Sequence, residues 1–143
     1  MRFSKSTELA IHSLWQLAAK QPGLLLVSEM AGKQHVSESY LAKVFQKLAR
    51  RGLVRSTRGK HGGFKLAREP GEISVAEVVR AVESDLSYYD CQDKNRSCGG
   101  RLDCPVRQAF QEAEKRMFSA LETTSLADLI RRARSEVRRA WMV

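Results

Sequence analysis

Residues 37–67 read SESYLAKVFQKLARRGLVRSTRGKHGGFKLA, and this stretch decides the fold. Ser37 is placed to cap a helix that ends at Arg51-Gly52. A serine hydroxyl accepts the amides that a first turn leaves unpaired, and glycine suits the left-handed residue that closes a last turn. Leu41, Val44, Phe45 and Leu48 fall on one side of that helix; Ser39, Lys43, Gln46 and Arg50 fall on the other. Leu53 to Thr57 then reads as a strand, Arg58-Gly59-Lys60-His61-Gly62-Gly63 as a glycine-rich turn and Phe64 to Ala67 as the return strand. The turn holds Arg58, Lys60 and His61 and no acidic residue. A basic hairpin directly after an amphipathic helix with a cationic and amide outer face is the pattern of a recognition helix and its wing. The helix offers Ser39, Lys43, Gln46 and Arg50 to phosphates and base edges, while the tip lies along the sugar-phosphate backbone or in the minor groove.

The flanking segments complete that unit. A first helix starts near Ser4 or Ser6 and stops before Gln21-Pro22-Gly23, with Ala10, Leu14, Leu17 and Ala18 as its apolar stripe, broadened by Leu9, Ile11 and Trp15. Leu24 to Val27 is a short apolar run, after which Ser28 is expected to cap a brief helix through Gly32. Lys33 to Val36 makes the turn that completes a helix-turn-helix. Beyond the wing, Glu69-Pro70-Gly71 breaks the chain, and Ser74 with Glu77 forms a capping box for a helix whose Val75, Val78, Val79 and Val82, with Ile73, close the core.

Pro105 opens a longer helix, along which Val106, Ala109, Phe110, Ala113, Met117, Ala120 and Leu121 keep a seam at spacings of three and four. A long helix beside so small a domain has little core of its own to cover, which predicts the same helix of a second subunit as its partner. Ser125 with Asp128 starts a last helix, with Leu126, Leu129, Ile130, Ala133, Val137 and Trp141 apolar and five arginines on the remainder. The expectation is a mainly α protein with a small β-hairpin wing: a winged helix-turn-helix DNA-binding domain over residues 1–84, a cysteine-bearing loop over 85–104, and a dimerisation helix and C-terminal helix over 105–143.

Charge agrees with a polyanionic partner. The 143 residues carry a net charge of +9, and residues 1–70 hold 13 Lys and Arg against 4 Asp and Glu. That excess suits double-stranded DNA, although a solvated basic surface has the same signature. No apolar run approaches the roughly 20 residues that cross a bilayer, so no membrane partner is expected.

Three cysteines, Cys91, Cys98 and Cys104, lie on one polar stretch, with six and five residues between them. Three cannot all pair, and no leader precedes Met1-Arg2-Phe3-Ser4, so a reducing, cytoplasmic setting is expected. Clustered thiols there serve metal or redox chemistry, since the thiolate is both soft ligand and nucleophile. The spacing is neither that of paired C-x-x-C zinc knuckles nor that of the short ferredoxin run, and three incidental cysteines would look the same. On the first helix, Glu8 and His12 are four apart and share a face, which can bring a carboxylate and an imidazole to one metal or make an ordinary surface contact. Neither a C-x-x-C pair nor a cofactor loop nor a nucleophile-base motif is present, so no enzyme is expected.

Together, Met1-Arg2-Phe3-Ser4, Ser39-Tyr40-Leu41-Ala42-Lys43, Gly52-Leu53-Val54, Arg58-Gly59-Lys60-His61-Gly62-Gly63-Phe64, the three cysteines and Leu126-Ala127-Asp128-Leu129 resemble the Rrf-two family of bacterial transcription regulators. The resemblance implies a homodimeric repressor or activator on a palindromic operator, controlled by an iron-sulfur cluster (2Fe-2S or 4Fe-4S) on the cysteine loop that senses redox state, nitric oxide or iron-sulfur status. Cys91, Cys98 and Cys104 match the cluster cysteines, with six rather than five residues between the first pair. The histidine that IscR-like members place three positions after the last cysteine is Arg107 here. Glu8 stands where NsrR-like members use an acidic ligand from the other subunit, and the Glu8 and His12 pair is similar to that of RsrR-like members. Ala42 occupies the place of the base-reading glutamate of IscR-like members, so Lys43, with Ser37, Ser39 and Tyr40, takes over the reading of the operator. Two alternatives remain: a cluster-free, CymR-like regulator using thiol switching or a protein partner, and a zinc site of the three cysteines with Glu8 or His12.

Overall fold

The computed structural model describes residues 3–59, 62–83, 86 and 104–133, which hold six α-helices and a two-stranded antiparallel sheet. Helix α1 (Lys5–Ala19) starts at Ser4, whose hydroxyl accepts the Thr7 amide at 3.3 Å. Leu9, Ala10, Leu14, Leu17 and Ala18 are buried, and so are Trp15, Ser13 and Gln16, so α1 is covered on most sides and is the post around which the other helices pack.

Helix α2 (Val27–Lys33) begins one residue before the expected serine. Ser28 lies inside the helix, and the start is closed instead by Glu29, whose carboxylate accepts the Leu26 amide at 3.0 Å. The cause is long-range. Leu25 is drawn into a β-bridge with Phe64, its amide donating at 3.0 Å and its carbonyl accepting at 2.8 Å, which fixes where the chain can turn into the helix. Gly63, at φ +149°, permits that approach: a Cβ there would lie 2.9 Å from the Leu25 carbonyl oxygen.

Helix α3 (Glu38–Arg50) is capped by Ser37, whose hydroxyl accepts the Tyr40 amide at 3.3 Å, and ends on Gly52 at φ +68°. Leu41, Val44, Phe45 and Leu48 are buried as their spacing predicts. Strands β1 (Val54–Thr57) and β2 (Gly63–Leu66) pair with Val54 opposite Leu66 and Ser56 opposite Phe64, each strand one residue away from its expected start. The wing is fastened to α3 by aromatic packing, the Phe45 and Phe64 rings being 4.7 Å apart and tilted by 58°.

A 3-10 turn (Pro70–Glu72) leads to helix α4 (Val75–Val82), where the Ser74 amide donates to Glu77 at 2.9 Å and the Ser74 hydroxyl accepts the Glu77 amide at 3.2 Å. Helix α6 (Leu126–Arg132) has the same box between Ser125 and Asp128. The two caps bridge each other: the Val75 amide donates to the Thr124 carbonyl at 2.9 Å and the Leu126 amide to the Ile73 carbonyl at 3.0 Å. Leu126 is fully buried in the cluster that contains Leu9, Leu14 and Leu41. The described part of α6 closes at Ala133, and Val137 and Trp141 lie outside the described residues.

Among the described residues, helix α5 (Pro105–Glu122) packs on α4 through its last turns. Phe118, which the seam did not include, is its buried residue; it packs on Val75, Ala76 and Val79, with the Arg80 guanidinium 5.0 Å from its ring centre and paired to Glu122 at 2.5 Å. Val106 and Phe110, nearer its start, are 56% and 50% exposed, and Ala109 and Ala113 are exposed as well.

Candidate nucleic-acid interface and metal centre

Helix α3 turns Ser39, Lys43, Gln46 and Arg50 to solvent in one stripe, because they alternate with the buried residues at helical spacing. Ser37 and Ser39 sit at the positive end of the helix, their hydroxyls 3.4 Å apart, where unpaired amides already favour an anion. Arg58 continues the basic surface at the end of β1; Lys60 and His61 lie outside the described residues. Among the described residues no carboxylate pairs with Lys43, Arg50 or Arg58, so these cations remain available to phosphates.

Tyr40 is placed differently from its neighbours. Its hydroxyl lies 2.8 Å from Ser6 Oγ of α1, so it serves a contact within the protein as well as facing the helix surface. Lys47, one of the helix's cations, turns away from the stripe and donates to the Val82 carbonyl at 2.8 Å. Two cations that neither the helical stripe nor the hairpin tip includes, Arg55 and Lys65, face each other across the sheet and are exposed. Strand alternation is the signal that marks them, since Val54 and Leu66 point inward and their neighbours must point out.

Glu8 and His12 do share a face of α1. Glu8 is exposed and pairs with Lys5 Nζ at 3.1 Å, a surface contact worth ~0–1 kcal/mol that leaves the carboxylate open to another ligand. His12 is half-buried; burial lowers its pKa, with the Glu8 charge raising it and Lys5 lowering it. Neutral imidazole is the ligating form, and a carboxylate, an imidazole and thiolates make a donor set that suits iron. Cys104 is half-buried at the residue preceding α5, and Cys91 and Cys98 lie outside the described residues. Among the described residues no three His, Cys, Asp or Glu side chains converge. Arg107, three residues after Cys104, keeps its Nε shielded from solvent with no hydrogen-bond acceptor among the described residues.

A helix-turn-helix with a cationic outer stripe, followed by a basic hairpin packed on it, defines a winged-helix DNA-binding protein. Residues 3–132 match the Rrf2 family, described as an iron-dependent transcriptional regulator, and the chain belongs to that family. It is 34% identical over 126 residues to the protein Rrf2 of Nitratidesulfovibrio vulgaris, covering 88% of this chain and 79% of that one. It is 31% identical over 133 residues to the HTH-type transcriptional regulator NsrR of Bacillus subtilis, covering 92% and 91%. Among solved structures it superposes on T. potens IscR with a TM-score of 0.75 at 26% identity, covering 95% and 90%, and on the global cysteine regulator CymR of B. subtilis with a TM-score of 0.77 at 24% identity, covering 94% and 99%. These relatives are regulators of transcription rather than enzymes. None of the described helices is long and apolar enough to cross a membrane.

Proposed function

We propose that the protein is a cytoplasmic, homodimeric transcription regulator that binds a palindromic operator through Ser37, Ser39, Tyr40, Lys43 and Arg50 of α3 and Arg58, Lys60 and His61 of the wing. Its operator affinity is set by an iron-sulfur cluster held by Cys91, Cys98 and Cys104 together with Glu8 and His12 of the partner subunit. The observation that carries the DNA half is the cationic stripe of α3, unpaired among the described residues and continuing into Arg58. The metal half is supported by the donor set: three cysteines within one stretch, and a carboxylate and an imidazole one turn apart on α1. When bound, such a cluster supplies a centre that exchanges an electron and reacts with oxygen or nitric oxide.

The chain's own residues supply the rest. Glu8 faces outward from α1, where a second subunit can reach it, and a ligand drawn from the other protomer ties the metal site to subunit geometry and hence to the distance between two recognition helices. The exposed Val106, Ala109 and Ala113 give α5 an apolar face that a second copy of α5 covers.

Protein purified without oxygen should contain iron and sulfide in a ratio near one and absorb in the visible, and removing the metal with a chelator should change its affinity for operator DNA. A coupling of the usual size, ~1–3 kcal/mol, corresponds to a 5- to 150-fold change. Equal affinity of the loaded and stripped forms would reject the sensing role while leaving the DNA-binding role intact. Arg107, standing where IscR-like members have a histidine, favours one second reading, a cluster-free thiol switch; protein free of iron whose DNA binding responds to oxidant and thiol reductant would establish it.

A further inference from the structure

Helix α3 has a third line of residues besides its buried and solvent-facing stripes. Tyr40 and Lys47, seven residues apart, turn toward the start of α1 and the end of α4. The Tyr40 hydroxyl meets Ser6 Oγ at 2.8 Å in the first turn of α1. Two turns later Lys47 Nζ donates to the carbonyl oxygen of Val82, the last residue of α4, at 2.8 Å. The next residue, Glu83, returns to α1: its Oε1 accepts the Ser4 amide at 2.7 Å and the Thr7 hydroxyl at 2.5 Å, and Thr7 is 1% exposed. These bonds close a ring from α3 to α1, from α1 to the end of α4, and from there back to α3.

The position of this ring gives it meaning. Ser6 and Thr7 directly precede Glu8 in α1, and His12 follows one turn later. Glu83 is the point from which the chain leads toward Cys91. Ser39 and Lys43, two of the solvent-facing residues of α3, lie one position before and three after Tyr40. The ring thus stands where α1 begins beside Glu8 and where the chain leaves α4 toward Cys91, with Tyr40 bonded to the first and Lys47 to the second.

We propose that Tyr40 and Lys47 are positioning residues that hold the recognition helix in register against the first turn of α1 and the end of α4, so that a change at Glu8, His12 or the cysteine stretch reaches the DNA-facing side chains through them. The proposal rests on the sensing function above. Recognition depends on hydrogen bonds between α3 and base edges, which tolerate little displacement, so a shift of either anchor changes affinity without altering any group that touches DNA.

The test compares Ser6→Ala, Tyr40→Phe, their double variant and Lys47→Met in the full-length protein. Each is assayed in the form reconstituted with iron and sulfide and in the form stripped by chelator, on a duplex that the unsubstituted protein selects from a randomised library. Ser6→Ala cuts the Ser6–Tyr40 bond and leaves every DNA-facing side chain chemically unaltered. It should compress the ratio of the two dissociation constants by about 2- to 10-fold, the range of one hydrogen bond. Tyr40→Phe should compress it equally, the double variant no further, and Lys47→Met in the same direction. In the stripped protein, amide hydrogen exchange over residues 38–43 should quicken in Ser6→Ala and Tyr40→Phe alike. If Ser6→Ala keeps the unsubstituted ratio and exchange, while Tyr40→Phe weakens binding equally in both forms, Tyr40 is a DNA contact alone and the proposal is overturned. A ratio of one in the unsubstituted protein is a different result: it removes the sensing function, and the proposal falls with it.

Discussion

Glu83 shows how much one side chain can carry in a protein of this size. Burial pushes its carboxyl up, but the hydrogen bonds from Thr7 and Ser4, helped by the Lys47 charge, outweigh that and hold it below the ordinary glutamate value. A carboxylate held low in the folded state adds stability while the pH stays above the ordinary value, and the addition disappears as pH falls through the folded value. Glu83→Gln should therefore lose less stability than the unsubstituted chain between neutral pH and the acid end of the carboxylate range, as read by denaturant unfolding at a series of pH values. Equal losses would mean that Glu83 contributes nothing to the acid sensitivity. Tyr40 reads from the sequence as a DNA-facing group, and its exposure agrees with that, but its bond to Ser6 spans 34 positions and no local pattern announces it. Phe45 is the opposite case. Its place in the apolar stripe of α3 marks it for burial, and only its partner across the wing, Phe64, had to come from the fold.

In the proposed function, α3 and the wing divide the work of binding in a way that substitution can separate. Arg58, at the end of β1, is suited to a phosphate, so Arg58→Ala should weaken binding to all sequences alike and reduce the slope of log affinity against log salt by about 0.9 for each phosphate it no longer neutralises. Lys43 lies mid-stripe on α3, and Lys43→Ala should in addition relax the preference at one operator position, measured by competition with single-base variants. An unchanged salt slope in Arg58→Ala would remove the wing from the phosphate contacts. Among the helices, the starts of α3, α4 and α6 were legible because Ser37, Ser74 and Ser125 each cap within their own first turn. The start of α2 was not, since the bridge between Leu25 and Phe64 decides it, and that pairing joins residues 39 positions apart.

At the level of the assembled chain, α5 is the helix through which the proposed dimer forms. Phe118 and its neighbours dock the last turns on α4, and the bridge between Ser74 and Ser125 pins the junction that follows. The start of the helix keeps Val106, Ala109 and Ala113 exposed. In a two-fold dimer the same residue meets its own copy or a near neighbour, so Ala113→Glu sets two like charges into one apolar seam. The variant should sediment as a monomer with its thermal unfolding little changed, and should lose operator binding because two half-sites are no longer bridged. Retention of the dimer would move the interface elsewhere.

Periodicity, caps and turn residues determined by themselves that this chain forms a helix-turn-helix, a hairpin wing and three following helices, because each of those signals acts over a turn or two and needs no distant partner. They also marked Lys43, Arg50 and Arg58 as exposed cations, since a charge that alternates with buried apolar residues has to face water. Only the tertiary structure decided where α2 begins, which residue of α5 is buried, and that Tyr40, Lys47 and Glu83 lace α1, α3 and α4 together. Those outcomes depend on pairings between residues far apart in the chain, and the strength of such a pairing is set by how the packed elements meet, which no local window contains.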